Sequence, residues 1–289
     1  TRVAATPESV KKFKGLGLDV TVEAGAGAHA RIADADYAAA GATIAPDARA
    51  ALADADIVLK VRGPGAAESA LLKKGAVIAA MLAPHTEKAA IATLAGQGAT
   101  AFAMEFLPRI SRAQAMDVLS SQSNLAGYKA VIDAAATFGR AMPMMMTAAG
   151  TIAPARVLVM GVGVAGLQAI ATAKRLGAIV SATDVRPATK EQVESLGGTF
   201  VAVMDEEFKN AQTAGGYAKE MSAEYQAKQA ALIAETIKKQ DIIITTALIP
   251  GRKAPVLVSE EMIKTMKPGS VIVDLAAEAG GNTPLTKAG

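Results

Sequence analysis

The segment from Arg156 to Asp184 restricts the fold of this chain more than any other part of it. An apolar strand leads into the turn Gly161-Val-Gly163-Val-Ala-Gly166, and a helix and a second strand follow. Gly161 permits a sharp turn from strand to helix, Gly163 lets the backbone approach a pyrophosphate, and Gly166 lets the helix pack closely on the sheet. The pattern predicts one strand–turn–helix–strand unit of the kind that binds dinucleotides.

The acidic residue that closes this unit indicates which dinucleotide is bound. Phosphates are expected on the free N–H groups of the helix that starts near Val164. Asp184 ends the second strand, 18 residues beyond Gly166. A carboxylate there accepts hydrogen bonds from ribose hydroxyls and repels a 2′-phosphate. The sequence therefore predicts NAD(H) rather than NADP(H), with a glycine turn of some other α/β domain as the alternative.

Composition excludes several other functions. The net charge is only +3 and there is no Trp, so a basic surface with stacked aromatics for nucleic acid is not expected. The chain has no Cys, which rules out disulfides and thiolate metal sites, and its two histidines, His29 and His85, form no metal-binding motif. No apolar run reaches the roughly 20 residues of a membrane helix.

Short apolar runs alternate with Ala-rich helical segments along the whole chain. This alternation predicts an α/β protein with two Rossmann-like, doubly wound parallel-sheet domains, in which helices cover both faces of each sheet. We place the N-terminal α/β domain at residues 1–125 and the Rossmann NAD(H)-binding domain at 126–289. The chain opens directly before a helix and stops soon after a fifth strand of the second domain, so we expect both domains to be cut at these ends.

The link between the domains is predicted to be a long helix from Asn124 to Ala141. The run Met144-Met-Met146 follows it. We interpret these methionines as adaptable core filling rather than as part of a cofactor site.

Three further segments have both a functional and an ordinary interpretation. The segment Arg109-Ile-Ser-Arg112-Ala-Gln114-Ala-Met-Asp117 offers groups that bind anions and carboxamides, but it also fits a solvated helix start. The segment from Thr246 to Gly251 follows a strand. It fits either a loop that lies against the ribose or nicotinamide of a cofactor or an ordinary strand-to-helix connection. Gly215-Gly216-Tyr217 fits either a closing loop or a surface turn.

Several of these segments resemble the NAD(H)-binding subunit of proton-translocating nicotinamide nucleotide transhydrogenase. The similar stretches are Arg109 to Asp117, Ser120 to Tyr128, Met144 to Gly150, Gly161 to Gln168, Ala214 to Met221 and Thr245 to Gly251. The resemblance covers nearly the whole chain. The segments Arg109 to Asp117 and Ala214 to Met221 are more particular to transhydrogenase. Other segments, Thr245 to Gly251 among them, are shared with alanine dehydrogenases.

The resemblance implies a role for each matching residue. Gln114 would orient the nicotinamide for hydride transfer. The remaining cofactor-binding residues would be Arg109, Ile110, Ser111, Arg112, Asp117 and Ser120 near the nicotinamide and pyrophosphate, Gly161, Gly163, Val164 and Gly166 in the phosphate turn, Asp184, Val185 and Arg186 at the adenosine ribose, Gly216 and Tyr217 in a mobile loop, and Thr246, Ala247 and Leu248 along the nucleotide.

The resemblance also implies partners. The family member is a homodimer that carries NAD(H), docks on a membrane proton-channel subunit and faces a domain that binds NADP(H). It would lie in the cytoplasm, attached to the inner membrane through those partners. No nucleic acid and no metal ion is expected.

A soluble NAD-dependent alanine dehydrogenase is the alternative. Those enzymes resemble this chain at Lys60, which matches their substrate lysine. Met81 stands where their catalytic histidine is expected, and this weakens the alternative. His85, a few residues further along, keeps it open.

Overall fold

The computed structural model describes residues 2–108, 110–209, 211, 221–249 and 251–289. It divides into two compact units, Thr1–Val118 and Leu119–Gly289. Both are α/β units, and every sheet of more than two strands is parallel among the described residues. The predicted fold class is confirmed.

The first unit opens with a helix whose start the sequence encodes locally. Thr6 caps α1 by accepting a hydrogen bond from Ser9 N–H, and Pro7 occupies the first helical turn, where no N–H is needed. The elements of this unit are α1 (Pro7–Gly15), β1 (Thr21–Glu23), α2 (Asp34–Ala39), β2 (Thr43–Ala45), α3 (Ala48–Leu52), β3 (Ile57–Arg62), α4 (Ala66–Ser69), β4 (Val77–Met81), α5 (Lys88–Gly96) and β5 (Thr100–Ala103).

The strands of the first unit form two parallel sheets rather than the single sheet that the sequence suggested. β1 pairs with β2, and β3, β4 and β5 form the second sheet in that order. One face of the second sheet packs on a core that includes Val58, Ile78 and Leu94. On its other face Ile57 and Phe102 are 54% and 56% exposed. The described residues therefore cover one face of this sheet and leave the other exposed.

β5 ends at Ala103, inside the apolar run Thr100 to Phe106 that predicts a longer strand. Its last register pair joins Ala80 to Ala103, and the chain then turns into a 3-10 segment, Met104–Phe106. The turn brings the Glu105 carboxylate back to the end of β4, where it accepts hydrogen bonds from the Leu82 and Ala83 N–H groups, at 3.2 and 2.5 Å. These contacts between distant parts of the chain set the end of the strand.

The second unit is built on one sheet of five parallel strands. Its elements are α6 (Val118–Thr137, which spans the boundary between the units), β6 (Met145–Thr147), β7 (Gly150–Ile152), β8 (Arg156–Met160), α7 (Val164–Arg175), β9 (Ile179–Thr183), α8 (Thr189–Ser195), β10 (Thr199–Phe200), α9 (Glu206–Lys209), α10 (Ala223–Ile237), β11 (Ile242–Thr245), α11 (Glu260–Lys264) and β12 (Val271–Asp274). The strand order is β10-β9-β8-β11-β12, which places β8 at the centre. Separate apolar clusters cover the two faces, as the run of buried residues in β8 and β11 requires.

Helix α6 begins six residues before the predicted start at Asn124 and ends at Thr137 instead of Ala141. Its first turns contain three Ser, a Val and an Asn, which have only moderate helix propensity and give no clear helix start in the sequence. Burial of Gly127, Ala130, Val131 and Ala134 on one face stabilises the helix instead.

The methionine run is not core filling, so that prediction was wrong. Met144, Met145 and Met146 are 58%, 50% and 71% exposed. Met145 and Met146 belong to β6, which forms an antiparallel hairpin with β7. In the described part of the chain this hairpin pairs with no third strand. All residues of β6 and β7 are exposed, so neither face of the hairpin is covered.

Candidate functional site

The candidate site lies at the carboxyl ends of β9, β8 and β11, which are neighbours in the sheet. Ligands of open parallel sheets bind at this edge. The backbone joins the three strand ends directly, because Gly161 N–H donates to Thr183 O and Thr246 N–H donates to Met160 O, both at 2.9 Å. The segments that follow these strands are therefore held side by side.

Gly161 occupies a position that no other residue fits well. Its φ of +102° is in the left-handed region, and a Cβ there would lie 2.5 Å from Thr246 Oγ1. Gly166 is equally restricted, since a Cβ would lie 1.9 Å from Gly161 O. The two glycines allow the first turn of α7 to pack against the strand end that precedes it.

Gly163 differs from the other two glycines of the turn. It is the N-cap residue of α7 in extended conformation, and a Cβ there would meet no described atom within 4 Å. Within the described residues, no side chain caps the helix. The N–H groups of the first turn therefore have no side-chain cap in the described residues and lie at the positive end of a 12-residue helix, which is an arrangement that suits a phosphate.

Asp184 is bound to the glycine turn. Its Oδ2 accepts a hydrogen bond of 2.7 Å from Val162 N–H, and its side chain is 7% exposed. Arg186 donates to the same carboxylate from its backbone N–H, Nε and Nη2, each at 2.9 Å, and Nη2 also donates to Val162 O at 3.1 Å. The hydrogen bonds to Asp184 raise the pKa of Arg186 above its ordinary value. Val185 lies between them with its side chain 53% exposed.

Thr246 and Ala247 line the other side of the turn. Thr246 Oγ1 donates to Gly161 O at 3.0 Å. Ala247 is bound through both its N–H and its C=O to the side chain of Asn282, while Leu248 is 55% exposed. The segment is thus held against the turn and presents an apolar side chain outward.

Two residues that contribute to this arrangement were missed in the sequence. Asn282 is fully buried. It follows the pair Gly280-Gly281, and this pair, which is typical of a tight turn, is the sequence feature that could have drawn attention to it. Gly127 of α6 lies so close to α7 that a Cβ would be 2.1 Å from Ala165 O. Its signal was a lone glycine inside a helical stretch.

The segment before α6 carries the residues proposed to meet the nicotinamide. Ser111–Met116 is a 3-10 segment, on which Ser111, Arg112 and Gln114 are exposed, and Ile110 before it is 55% exposed. Asp117 ends the segment and its N–H donates to Gln114 O at 3.2 Å. Ser120 lies in the first turn of α6. Arg109, Gly216 and Tyr217 lie outside the described residues.

The residues that favoured an alanine dehydrogenase have other contacts. Lys60 forms an ion pair with Glu68, and Glu68 also accepts a hydrogen bond of 3.0 Å from Gly65 N–H at the start of α4. The ring of His85 packs edge-on against Phe106 with centroids 5.3 Å apart. Met81 is the last residue of β4. The lysine charge is therefore balanced within its own unit.

Metal sites and membrane helices are both missing from the described part of the chain. Among the residues that the structure describes, no group of three or more His, Cys, Asp or Glu side chains is placed to hold a metal ion. In the same residues, no helix combines the length and the apolar character that a membrane span requires.

Together, the glycine turn, Asp184 and the five-stranded parallel sheet define a dinucleotide-binding dehydrogenase fold. Comparison with known proteins shows the family to which the chain belongs. The N-terminal domain of the alanine dehydrogenase/PNT family matches residues 1–126 and the C-terminal domain of that family matches residues 130–289. The chain belongs to the alanine dehydrogenase/PNT family.

Within the family the most informative relatives are transhydrogenases. The chain is 63% identical over 293 residues to an NAD(P) transhydrogenase alpha subunit of Rhodospirillum rubrum, covering 100% of this chain and 76% of the relative. The crystal structure of transhydrogenase from Sinorhizobium meliloti matches with a TM-score of 0.88 at 60% identity, covering 98% of this chain and 76% of that one. Alanine dehydrogenase of Halomonas elongata is 33% identical over 283 residues, covering 97% and 70%. The resemblance drawn from the sequence is confirmed.

Proposed function

We propose that this chain is the NAD(H)-binding component of a proton-translocating transhydrogenase. Hydride passes directly between NAD(H) on this chain and NADP(H) on a partner domain, and the transfer is coupled to proton movement through a membrane subunit. The observation that carries the proposal is the Asp184 carboxylate hydrogen-bonded to Val162 N–H at the glycine turn. Identity of 63% along the whole chain to a transhydrogenase subunit supports the choice of reaction.

The described residues fit a dinucleotide. The uncapped N-terminus of α7 and the open space outside Gly163 suit a pyrophosphate, and Asp184 follows the adjacent strand, where an adenosine ribose is expected. The segment from Thr246 to Leu248 follows β11 on the opposite side of β8. A dinucleotide that crosses the centre of the sheet would therefore place its nicotinamide half on the β11 side.

The charge at Asp184 favours NAD(H) over NADP(H). A 2′-phosphate next to this carboxylate would be repelled, whereas ribose hydroxyls can donate to it. Arg186 is the neighbouring cation that could attract the phosphate, but two of its side-chain nitrogens already donate to Asp184. The pair as a whole is close to neutral, so Arg186 offers little attraction to a 2′-phosphate.

The proposed contribution of the chain to catalysis is positional. A bound nicotinamide supplies the carbon that gives or takes the hydride, and transfer between two nicotinamides needs no protein acid or base. What the chain contributes is a fixed orientation and protection from water. Gln114 is the residue proposed to orient the ring, because a carboxamide side chain can both donate to and accept from the carboxamide of nicotinamide. Its side chain is exposed and so is accessible to a ligand.

The proposed partners are a second copy of the chain, a membrane proton-channel subunit and an NADP(H)-binding domain, at the cytoplasmic face of the inner membrane. The Rhodospirillum rubrum relative is named as one subunit of its transhydrogenase, which supports a complex of several subunits. The hairpin of β6 and β7 supports an interface on the second unit, since Met144, Met146 and Ile152 expose apolar surface of the kind that interfaces bury.

A reconstituted assay tests the proposal. The purified chain is mixed with an NADP(H)-binding domain of a transhydrogenase, and hydride exchange between NADH and an oxidised NADP analogue is followed. We expect exchange only when both proteins are present. NADH binding without any exchange would contradict the proposal and indicate a nucleotide sensor.

The alternative function, alanine dehydrogenase, is tested with the chain alone. It rests on Lys60 and on the 33% identity to an alanine dehydrogenase. The ion pair between Lys60 and Glu68 argues against a lysine that is free for a substrate. Alanine-dependent reduction of NAD by the isolated chain would support the alternative, and we expect none.

A further inference from the structure

The side chain of Asn282 holds the backbone of Ala247 much as a neighbouring strand would. Its Oδ1 accepts a hydrogen bond of 3.1 Å from Ala247 N–H, and its Nδ2 donates to Ala247 O at 2.9 Å and to Pro255 O at 2.8 Å. Asn282 is fully buried. A buried carboxamide that satisfies both polar groups of one residue specifies where that residue lies.

Ala247 lies just beyond the paired part of its strand. The register between β11 and β12 ends at the pair Thr245 and Asp274. The chain after β12 turns away, and Leu275 N–H makes the last hydrogen bond between the two segments, to Thr245 O at 2.9 Å. Asn282 therefore supplies the hydrogen bonds that the sheet no longer provides to the residue beyond the strand.

Asn282 is itself fixed by several contacts. Its N–H donates to Asp274 Oδ2 at 2.7 Å, and its carbonyl accepts from Leu257 N–H and Val258 N–H at 2.8 and 3.1 Å. Gly281 has a φ of +79°, and a Cβ there would lie 2.4 Å from Thr286 Cβ. The tight turn that returns Asn282 to the strand ends thus needs a glycine, and the anchor is rigid.

The chain of contacts continues into the phosphate turn. Thr246, next to Ala247, donates from Oγ1 to Gly161 O at 3.0 Å. A Cβ at Gly161 would lie 3.2 Å from Ala247 N, so the turn and this segment are in direct contact. A displacement of Ala247 would move the segment that faces the nicotinamide side of the turn.

We infer that Asn282 is a positioning residue for the dinucleotide: it fixes the Thr246–Leu248 segment against the glycine turn and so shapes the nicotinamide half of the site. The inference rests on the proposed function. It assigns no contact between Asn282 and the nucleotide. The adenosine half, which depends on Asp184 on the other side of β8, does not depend on Asn282.

The test compares a whole dinucleotide with its adenosine half. Asn282→Leu keeps the approximate size of the side chain and removes all three hydrogen bonds without adding charge. We expect the Kd for NADH to rise about five- to tenfold, the effect of losing about one hydrogen bond between the displaced segment and the nucleotide, while the Kd for AMP stays within about twofold. Both are measured by titration calorimetry on the full chain.

A matched control changes another buried amide of the same unit. Gln240, 5% exposed, precedes β11 at the opposite end of the strand, where its Nε2 donates to Thr236 O at 3.1 Å. Gln240→Leu is expected to leave both affinities unchanged. If Asn282→Leu does not fold, Asn282→Ser, which is too short to bridge Ala247 and Pro255, is measured in the same way.

The outcomes separate this inference from the proposed function. Unchanged NADH affinity in the Asn282 variant would overturn the inference, and so would an equal loss of NADH and AMP affinity, which indicates general damage. Failure of the wild-type chain to bind NADH would instead contradict the proposed function.

Discussion

Arg186 donates hydrogen bonds from Nε and Nη2 to the two carboxylate oxygens of Asp184, each over 2.9 Å. A guanidinium that forks onto a carboxylate is among the stronger and more directional ion pairs in proteins. Here the acid also accepts from Val162 N–H of the glycine turn. A ribose hydroxyl that binds Asp184 must share or displace these donors, so the pair links nucleotide binding to the position of Arg186.

Replacement of Asp184 by Ala is expected to weaken NADH binding about ten- to a hundredfold. The variant loses a charge-assisted hydrogen bond, which is worth about 1.5–3 kcal/mol. Titration of the chain with NADH measures the effect. Asp133→Ala is the control, because Asp133 pairs with Lys129 on an exposed face of α6. Equal affinity of wild type and Asp184→Ala would rule out the ribose role.

The choice between NAD(H) and NADP(H) is expected to depend on both members of the pair. Asp184→Ser removes the negative charge and frees Arg186 for a 2′-phosphate, so the ratio of NADPH to NADH affinity should rise about tenfold or more. The double variant Asp184→Ser, Arg186→Ala should lose that gain. If the single and double variants showed the same ratio, Arg186 would have no part in discrimination.

Gln114→Asn is expected to lower the rate of hydride transfer about tenfold or more, with a smaller change in NADH affinity. The shorter side chain keeps the carboxamide but moves it by about one C–C bond, which disturbs orientation more than binding. The reconstituted exchange assay and a titration measure the two quantities. Gln192→Asn on the exposed surface of α8 is the control. Equal losses in rate and affinity would argue against a specific orienting role.

The free energy of unfolding of the second unit is expected to fall in acid, because the carboxylate of Asp241 becomes protonated. Burial disfavours the charged form of this carboxylate, but hydrogen bonds from Arg156 N–H and Lys267, together with the charges of Lys267 and Arg140, outweigh burial and lower its pKa. A group whose pKa is lowered by folding stabilises the protein above its unfolded pKa, which is about 3.9 for Asp. That contribution is lost as the pH falls through the lower folded value.

Asp241→Asn tests this dependence. We expect the free energy of unfolding at pH 7 to fall by roughly 2 kcal/mol, less than for a fully enclosed ion pair because Arg140 and Lys267 are largely exposed. The difference from wild type should shrink as the pH falls below about 4. Urea denaturation at several pH values measures it. Glu194→Gln, which breaks an exposed pair with Lys190 on α8, should cost less than about 0.5 kcal/mol.

Much of the candidate site was predictable because its parts are close in sequence. β8 has the predicted bounds, α7 begins at the predicted Val164, and Asp184 directly follows β9. Gly161 needs its left-handed backbone for the sharp turn, and Gly166 must lack a Cβ because Gly161 O lies beside it, so these two requirements arise within the turn itself. The proposed cofactor contacts of these residues stay a prediction until a nucleotide complex is measured.

The sequence did not predict the residues that act over long distances along the chain. Asn282 contacts Ala247 from 35 residues away. Gly127 approaches Ala165, and the early end of β5 depends on Glu105 reaching back to Leu82. Local composition carries no sign of these partners, and apolar character alone led us to place exposed methionines in the core.

By itself, the sequence determined the alternation of strands and helices, the glycine turn and the acid that follows it, because periodicity, caps and backbone conformation are properties of neighbouring residues. Only the tertiary structure decided which strand ends meet at one edge of the sheet. It also decided that Arg186 donates hydrogen bonds to Asp184 and that the side chain of Asn282 binds the backbone of Ala247. These depend on hydrogen bonds made after distant segments have packed together, and their geometry does not exist before the sheet has formed.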